Sequence, residues 1–218
     1  MLREKKPYFF RRREVWKTTW RFRLGVIMLL AVILAPTHPH WLASIGRSLV
    51  HSEEPLRSDL IIVENYDPDY LVFETAARLL RNGLSDQILI PVTIFRDPDK
   101  PNAVSQGIVE VMTRIAGIDK ADLLPVSHEE PVTLTVVRQV AEAVEKRNVR
   151  SVIVVSPLFR SRRTFEVYRT ILVPRGITVI CVASGGPRTP ENWWKTTHGI
   201  QNIVLEFIKL QYYRLFIL

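Results

Sequence analysis

From position 58 onward, short continuous apolar runs alternate with apolar residues at helical spacing. The run "DLIIV" (59–63) has no polar position between its ends, the pattern of a strand covered on both faces. "NYDPDY" interrupts it. Asp67 is placed to cap a helix beginning at Pro68. Phe73, Ala76, Ala77 and Leu80 then recur at i, i+3, i+4 and i+7, a single helical stripe ending near Gly83. The same alternation repeats down the chain. "QILIPV" (87–92) is a second strand, followed by the polar, proline-rich "TIFRDPDKPN" and a helix over 104–116 closed by Gly117. "DLLPV" (122–126) is a third strand, and Pro131 opens a helix striped by Val137, Val140, Ala141 and Val144. "SVIVV" (151–155) is a fourth strand, before a helix that buries Phe165, Tyr168 and Leu172. "GITVICVA" (176–183) is a fifth. Thr189 and Pro190 mark the start of a last helix with Ile200, Ile203, Val204 and Phe207 on one face. Its end, "YYRLFIL", is apolar nearly all round and is expected either in the core or against a membrane.

Strand–helix alternation predicts a three-layer α/β sandwich of Rossmann-like type, with a mostly parallel five-stranded sheet over residues 58–218. Ahead of it lies a different kind of segment. "LGVIMLLAVILA" (24–35) would span only ~18 Å as a helix, short of the ~30 Å hydrocarbon slab. No Asp, Glu, Lys or Arg occurs between Arg23 and Arg47, so residues 24–46 suffice to cross, with Trp16, Trp20 and Trp41 suited to the interfaces. A cleaved signal peptide is the alternative. Its small-x-small site, Ser44-Ile45-Gly46, lies well past the apolar run, and its basic start would be unusually long. Residues 1–23 form a basic arm, 24–46 a transmembrane anchor and 47–57 a linker.

Charge sharpens this division. The arm holds nine basic residues against Glu4 and Glu14, which is seven of the chain's eight net positive charges. The α/β domain is therefore almost neutral, and no nucleic-acid partner is expected of it. A positive arm before an anchor predicts a single-pass protein of the inner (plasma) membrane, N-terminus cytoplasmic, domain on the outer or periplasmic side. The lone Cys181 allows no internal disulfide.

Common chemical signatures are missing. There is no dinucleotide-binding glycine motif, no phosphate-binding loop of the G-x-x-x-x-G-K type and no nucleophile elbow. The five histidines lack zinc-ligand spacing, and no cofactor or metal is indicated. In an open parallel sheet, however, ligands bind outside the carboxyl ends of the strands. The residues there are Glu64, Asn65 and Asp67; Thr93 and Arg96; Ser127, His128, Glu129, Glu130 and Thr133; Ser156, Arg160, Arg162 and Arg163; and Ser184, Gly185, Gly186 and Arg188. Three arginines at a helix start oppose the helix dipole at a cost of several tenths of a kcal/mol each. They therefore suggest a negative partner from outside the fold, phosphate or carboxylate matching the guanidinium fork. Internal pairing of Arg162 with Glu166 and a solvent-facing Arg163 are the competing explanations. Glu64 and Glu130 are the candidate general bases, with capping as their alternative role.

Four stretches carry a family resemblance: "SDLIIV", "FETAARLLRNG", "VVSPLFRSRR" and "WWKTTHGIQNIVLEFIKLQYY". In order and spacing the chain resembles the SanA, YdcF and ElyC family, domain of unknown function 218. That resemblance implies a Rossmann-like domain, membrane-anchored or soluble, with a role in the bacterial cell envelope, its permeability barrier and lipid-carrier metabolism. Ser156 and Arg162 match the family's strand-four motif and Thr133 a threonine near its third helix. Phe159 stands in place of the usual histidine, and Glu64-Asn65 in place of a glycine pair. The leading expectation is an envelope protein binding an anionic, possibly lipid-linked phosphate through Arg160, Arg162 and Arg188, with Asn65, Thr133 and Ser156 nearby. A phosphate-ester hydrolase or transferase, and a non-catalytic domain docking through "LFIL", are the alternatives. Oligomeric state is not legible.

Overall fold

Leu60 and Ile62 point to one side of a strand and Ile61 and Val63 to the other, and all four are completely buried. That requires an apolar layer on each face, and the computed structural model supplies both. It describes residues 18–65, 69–94, 102–127 and 129–218. Five parallel strands, β1 (Leu60–Val63), β2 (Ile88–Thr93), β3 (Asp122–Val126), β4 (Ser151–Ser156) and β5 (Thr178–Ala183), form one sheet in the order β3-β2-β1-β4-β5. The helices, in chain order, are α1 (Trp20–Ser48), α2 (Tyr70–Arg81), α3 (Ala103–Ala116), α4 (Val132–Lys146), α5 (Ser161–Leu172) and α6 (Thr197–Phe216).

The stripes sort the helices by face. Phe73, Ala76 and Ala77 of α2 and Val109 of α3 pack with Ile61, Val63, Ile90 and Val155. Val137, Val140, Ala141 and Val144 of α4 and Tyr168 and Leu172 of α5 pack with Leu60, Ile62, Leu89 and Val154. The result is the expected three-layer, Rossmann-like sandwich, with the chain reversing its direction of travel across the sheet between β1 and β4. That is where an open sheet leaves a crevice at its carboxyl edge.

Boundaries differ from expectation where polar detail decides them. The cap of α2 is Asp69, whose carboxylate accepts from Leu71 N at 3.0 Å, so the helix starts at Tyr70. Asp67 and Pro68 lie outside the described residues. Gly117 closes α3 with φ +74°, a conformation only glycine adopts cheaply. The last helix starts later than Thr189. Residues 189–192 form a turn in which Thr189 N donates to Asn192 Oδ1, and Trp193–Lys195 is a short 3-10 turn. The true cap of α6 is Thr196, accepting from Gly199 N at 3.1 Å.

The chain divides into two units, Met1–Trp41 and Leu42–Leu218. In the first, α1 is long and apolar enough to cross a membrane, and no part of its apolar window is buried. At 29 residues it measures ~43 Å. Arg21 and Arg23 are described; the rest of the basic arm's charges lie outside the described residues. In the second unit, residues 42–48 complete α1 inside a small third core. Leu42, Ile45 and Leu49 pack there with Phe159, Trp193, Ile203 and Leu210. Trp193 Nε1 donates to Leu42 O at 3.0 Å. The segment that follows covers the free edge of β5: Glu53 N donates to Cys181 O at 2.8 Å, and Ala183 N to Ser52 Oγ at 3.2 Å. An exposed edge strand invites intermolecular pairing, and this strap removes the opportunity.

Candidate functional site

Three arginines within four residues follow β4 and go to three different places. Arg160 ends a 3-10 turn, Leu158–Arg160, immediately before α5. Its guanidinium lies over the end of β1, with Nη1 3.5 Å from Glu64 Oε1 and Nε 3.5 Å from Glu206 Oε1. Arg162 turns the other way. Its Nη2 donates to Val50 O at 2.9 Å and its backbone N–H to Leu49 O at 3.1 Å, so it fastens the entering chain to α5. Arg163 is not at the surface but 6% exposed. It donates to Thr133 Oγ1 through Nη1 and to Glu206 Oε2 through Nη2 at 2.9 Å, and lies 5.2 Å from the centre of the Tyr213 ring. Glu166 pairs with Arg214 of α6, not with Arg162.

These contacts make one buried polar network. Glu64, itself fully buried, accepts from Thr164 Oγ1 at 2.6 Å, and Thr164 meets Ser156 Oγ at 3.4 Å. Thr133 holds Arg163 from the start of α4, and the Thr133 backbone N–H donates to the Tyr213 hydroxyl at 3.1 Å. Two guanidiniums face two carboxylates, Glu64 and Glu206, so the network is electrically balanced within the polypeptide. The expectation that the arginines lack internal partners is therefore corrected for Arg160 and Arg163. Burying four charges is tolerated because each has an opposite charge and a hydrogen bond.

Beside the network lies an open cleft of about 500 Å³. Its walls are the residues leaving β4 (157–160), those leaving β5 (184–188), Asp69 and Leu71 at the start of α2, and His198, Asn202 and Glu206 of α6. Arg160 and Arg188 thus share one cleft at the carboxyl edge of the sheet. Arg188 is half-buried, and no acid among the described residues pairs with it. Gly185 has nothing within 4 Å of where a Cβ would stand, so its backbone faces open space.

The remaining predicted residues fall elsewhere. Asn65 is buried next to Glu64 without reaching the cleft wall. Ser156 and Thr133 lie behind the wall, as positioning groups of the network. Glu130 is exposed and accepts from Val132 N at 3.3 Å, the contact of a helix cap. Arg96 and His128 lie outside the described residues. No three metal-ligating side chains come together among the described residues. Burial holds the Cys181 thiol well above its ordinary pKa, with the nearby charges of Glu64 and Glu53 adding to the effect.

Sequence reasoning missed Glu206, Thr164 and the inward course of Arg163. Glu206 left a signal. It is the only acid between Thr197 and Phe216, and it falls in step with Ile203, Leu210 and Tyr213, the stripe α6 buries. A carboxylate on a buried stripe demands a cationic partner.

No protein-family model matches this sequence, and no curated protein is significantly similar to it.

Proposed function

We propose that this is a membrane-anchored cell-envelope protein whose α/β domain binds an anionic, phosphate-bearing group, free or lipid-linked, in the cleft outside β4 and β5. The observation that carries the proposal is the convergence of Arg160 and Arg188 on that cleft, at the place where open parallel sheets take ligands. The two cations have different tasks. Arg160 is held in place by Glu64 and Glu206, so it is pre-oriented and loses little freedom on binding. Arg188 has no acid partner among the described residues and is the cation left to meet the ligand, although the Asp69 carboxylate shares the cleft wall and offsets its charge. Gly185 leaves room for close approach of the ligand to the backbone. The basic arm sets the N-terminus on the cytoplasmic side and the domain on the outer or periplasmic side.

Binding is favoured over general-base chemistry at Glu64. That carboxylate is fully buried, already bonded to Thr164 and Arg160, and not on the cleft wall. The test is calorimetric titration of the full chain in detergent with inorganic pyrophosphate and with dodecyl phosphate. A charge-assisted hydrogen bond contributes ~1.5–3 kcal/mol, so Arg188→Ala is expected to weaken binding about 10- to 100-fold. Arg162→Ala, which alters a contact to Val50 away from the cleft, is expected to bind as wild type. Absence of binding by the wild-type chain, or equal binding by Arg188→Ala, overturns the proposal.

A further inference from the structure

The inner side of α6 is accounted for: Gly199, Ile203, Glu206, Leu210 and Tyr213 are buried. Its outer side is not. Ile200, Val204 and Phe207, expected to line a core face, are 43%, 48% and 39% exposed. With them stand Leu205, Ile208, Tyr212, Leu215 and Phe216, the last two 73% and 74% exposed. At 100° per residue these eight positions occupy one continuous arc, opposite the buried stripe. Gln201, Gln211 and, at the edge shared with Phe216, His198 are the other long side chains within that arc, and the cations Lys209 and Arg214 lie at its two margins. An exposed apolar face of this extent on a soluble domain is unusual and marks a binding surface.

Two observations say what covers it. The first belongs to the proposed reading of an anchored chain, on which this inference rests. Leu42, the first residue of the unit, belongs to the helix that is long and apolar enough to cross a bilayer. The third core then joins that entry to α6 itself, because Leu42 and Ile45 pack in the same cluster as Ile203 and Leu210. So α6 is seated against the very segment by which the chain enters the unit. The charge pattern agrees. The outer face carries no acid that would oppose contact with an anionic lipid surface, and the cations at its margins, Lys209 and Arg214, meet Glu206 and Glu166 of the same unit. Tyr212, 48% exposed and amphipathic, suits the headgroup level.

We infer that α6 is an interfacial membrane helix whose outer apolar face rests on the lipid bilayer. The occupant is lipid, not a protein partner. The covalent tether keeps the face close to the bilayer, so docking needs little intrinsic affinity. The inference is independent of what the cleft binds. If both hold, α6 presents His198, Asn202 and Glu206 to the cleft from a helix lying on the membrane surface.

The test uses the full chain reconstituted into vesicles of phosphatidylcholine with phosphatidylglycerol. Ile208→Cys carries a bimane fluorophore. Cys181 is buried, with its thiol held protonated, and does not compete for label in the folded protein. Ile115→Cys, at an exposed apolar position of α3, is the control. A face sunk ~5–10 Å into the headgroup boundary brings the label to a shallow spin-labelled lipid, so emission of the position-208 label falls by about half and iodide quenching is weak. The position-115 label shows the reverse. Val204→Cys repeats the measurement should Ile208→Cys fold poorly. Equal iodide quenching at both positions, with no effect of spin-labelled lipid, overturns the inference. So does shielding of position 208 from both quenchers together with a disulfide between two Ile208→Cys chains, which would assign the face to a second copy.

Discussion

Glu206 sits where two elements of the network meet, and its replacement by glutamine isolates the worth of that meeting. The carboxylate is 4% exposed, 2.9 Å from Arg163 Nη2, 3.5 Å from Arg160 Nε and 3.7 Å from Lys209 Nζ. Glu206→Gln keeps the shape and one acceptor oxygen but removes the charge, leaving Arg160 and Arg163 with only Glu64 between them. Removing one partner of a buried ion pair costs ~3–5 kcal/mol, because the other charge stays desolvated. Arg163 retains Thr133 and the Tyr213 ring, and Arg160 retains Glu64, so the lower end of the range, about 3 kcal/mol, is expected. For a unit of this size each kcal/mol shifts the midpoint by ~2–4 °C, so the loss amounts to roughly 6–12 °C. Thermal unfolding of the full chain in detergent, followed by tryptophan emission of the Trp193 region, reads it directly. The partner measurement separates charge from packing. If the cost is an uncompensated cation, Arg163→Met combined with Glu206→Met unfolds at a higher temperature than Glu206→Met alone. A Glu206→Gln protein melting within about 2 °C of wild type would show that the buried network does not hold the cleft wall together.

Two further outcomes follow from geometry away from the cleft. Asp59 Oδ2 accepts from Arg150 N at 2.8 Å, Ser151 N at 3.0 Å and Ser151 Oγ at 3.1 Å. The Arg150 backbone bond, the largest cause, holds its carboxyl below the ordinary value of 3.8, against an opposing contribution from desolvation. A depressed folded-state pKa gives stability that is present above the unfolded value and is lost as pH falls through the folded one. Asp59→Asn should therefore flatten the acid limb of the stability profile below about pH 4 in chemical unfolding, and an unchanged slope would contradict the assignment. Gly199, in the first turn of α6, has the Trp193 carbonyl oxygen 2.1 Å from the position of an added Cβ. Gly199→Ala must displace backbone, so a loss of ~1–3 kcal/mol or more is expected, and an undiminished melting temperature would be inconsistent with this seating of α6.

How far the primary structure reached depended on whether a feature was local. Apolar runs in β1 and β4 can only be strands covered on both faces, and the stripes of α2 and α4 can only be helices packed on one side, so the Rossmann-like sandwich was legible throughout. Residues at the carboxyl edge of the sheet were legible too, since topology alone puts Arg160 and Arg188 there. Which way each arginine turned was not. Arg160, Arg162 and Arg163 are near neighbours, and helical spacing left Arg162 free to meet Glu166. The tertiary structure decided otherwise, because Glu64, just past the end of β1, is 96 positions from Arg160 and Glu206, in α6, is 43 positions from Arg163. Local pattern carries no information about such distant partners. The division on α6 has the same origin. Ile203 and Val204 are equally apolar in sequence, yet one faces Leu42 and Trp193 in the third core and the other faces outward. The sequence by itself determined that α6 would be apolar on most of its circumference; only the packing of the other elements decided which side was core and which was left for something else to cover.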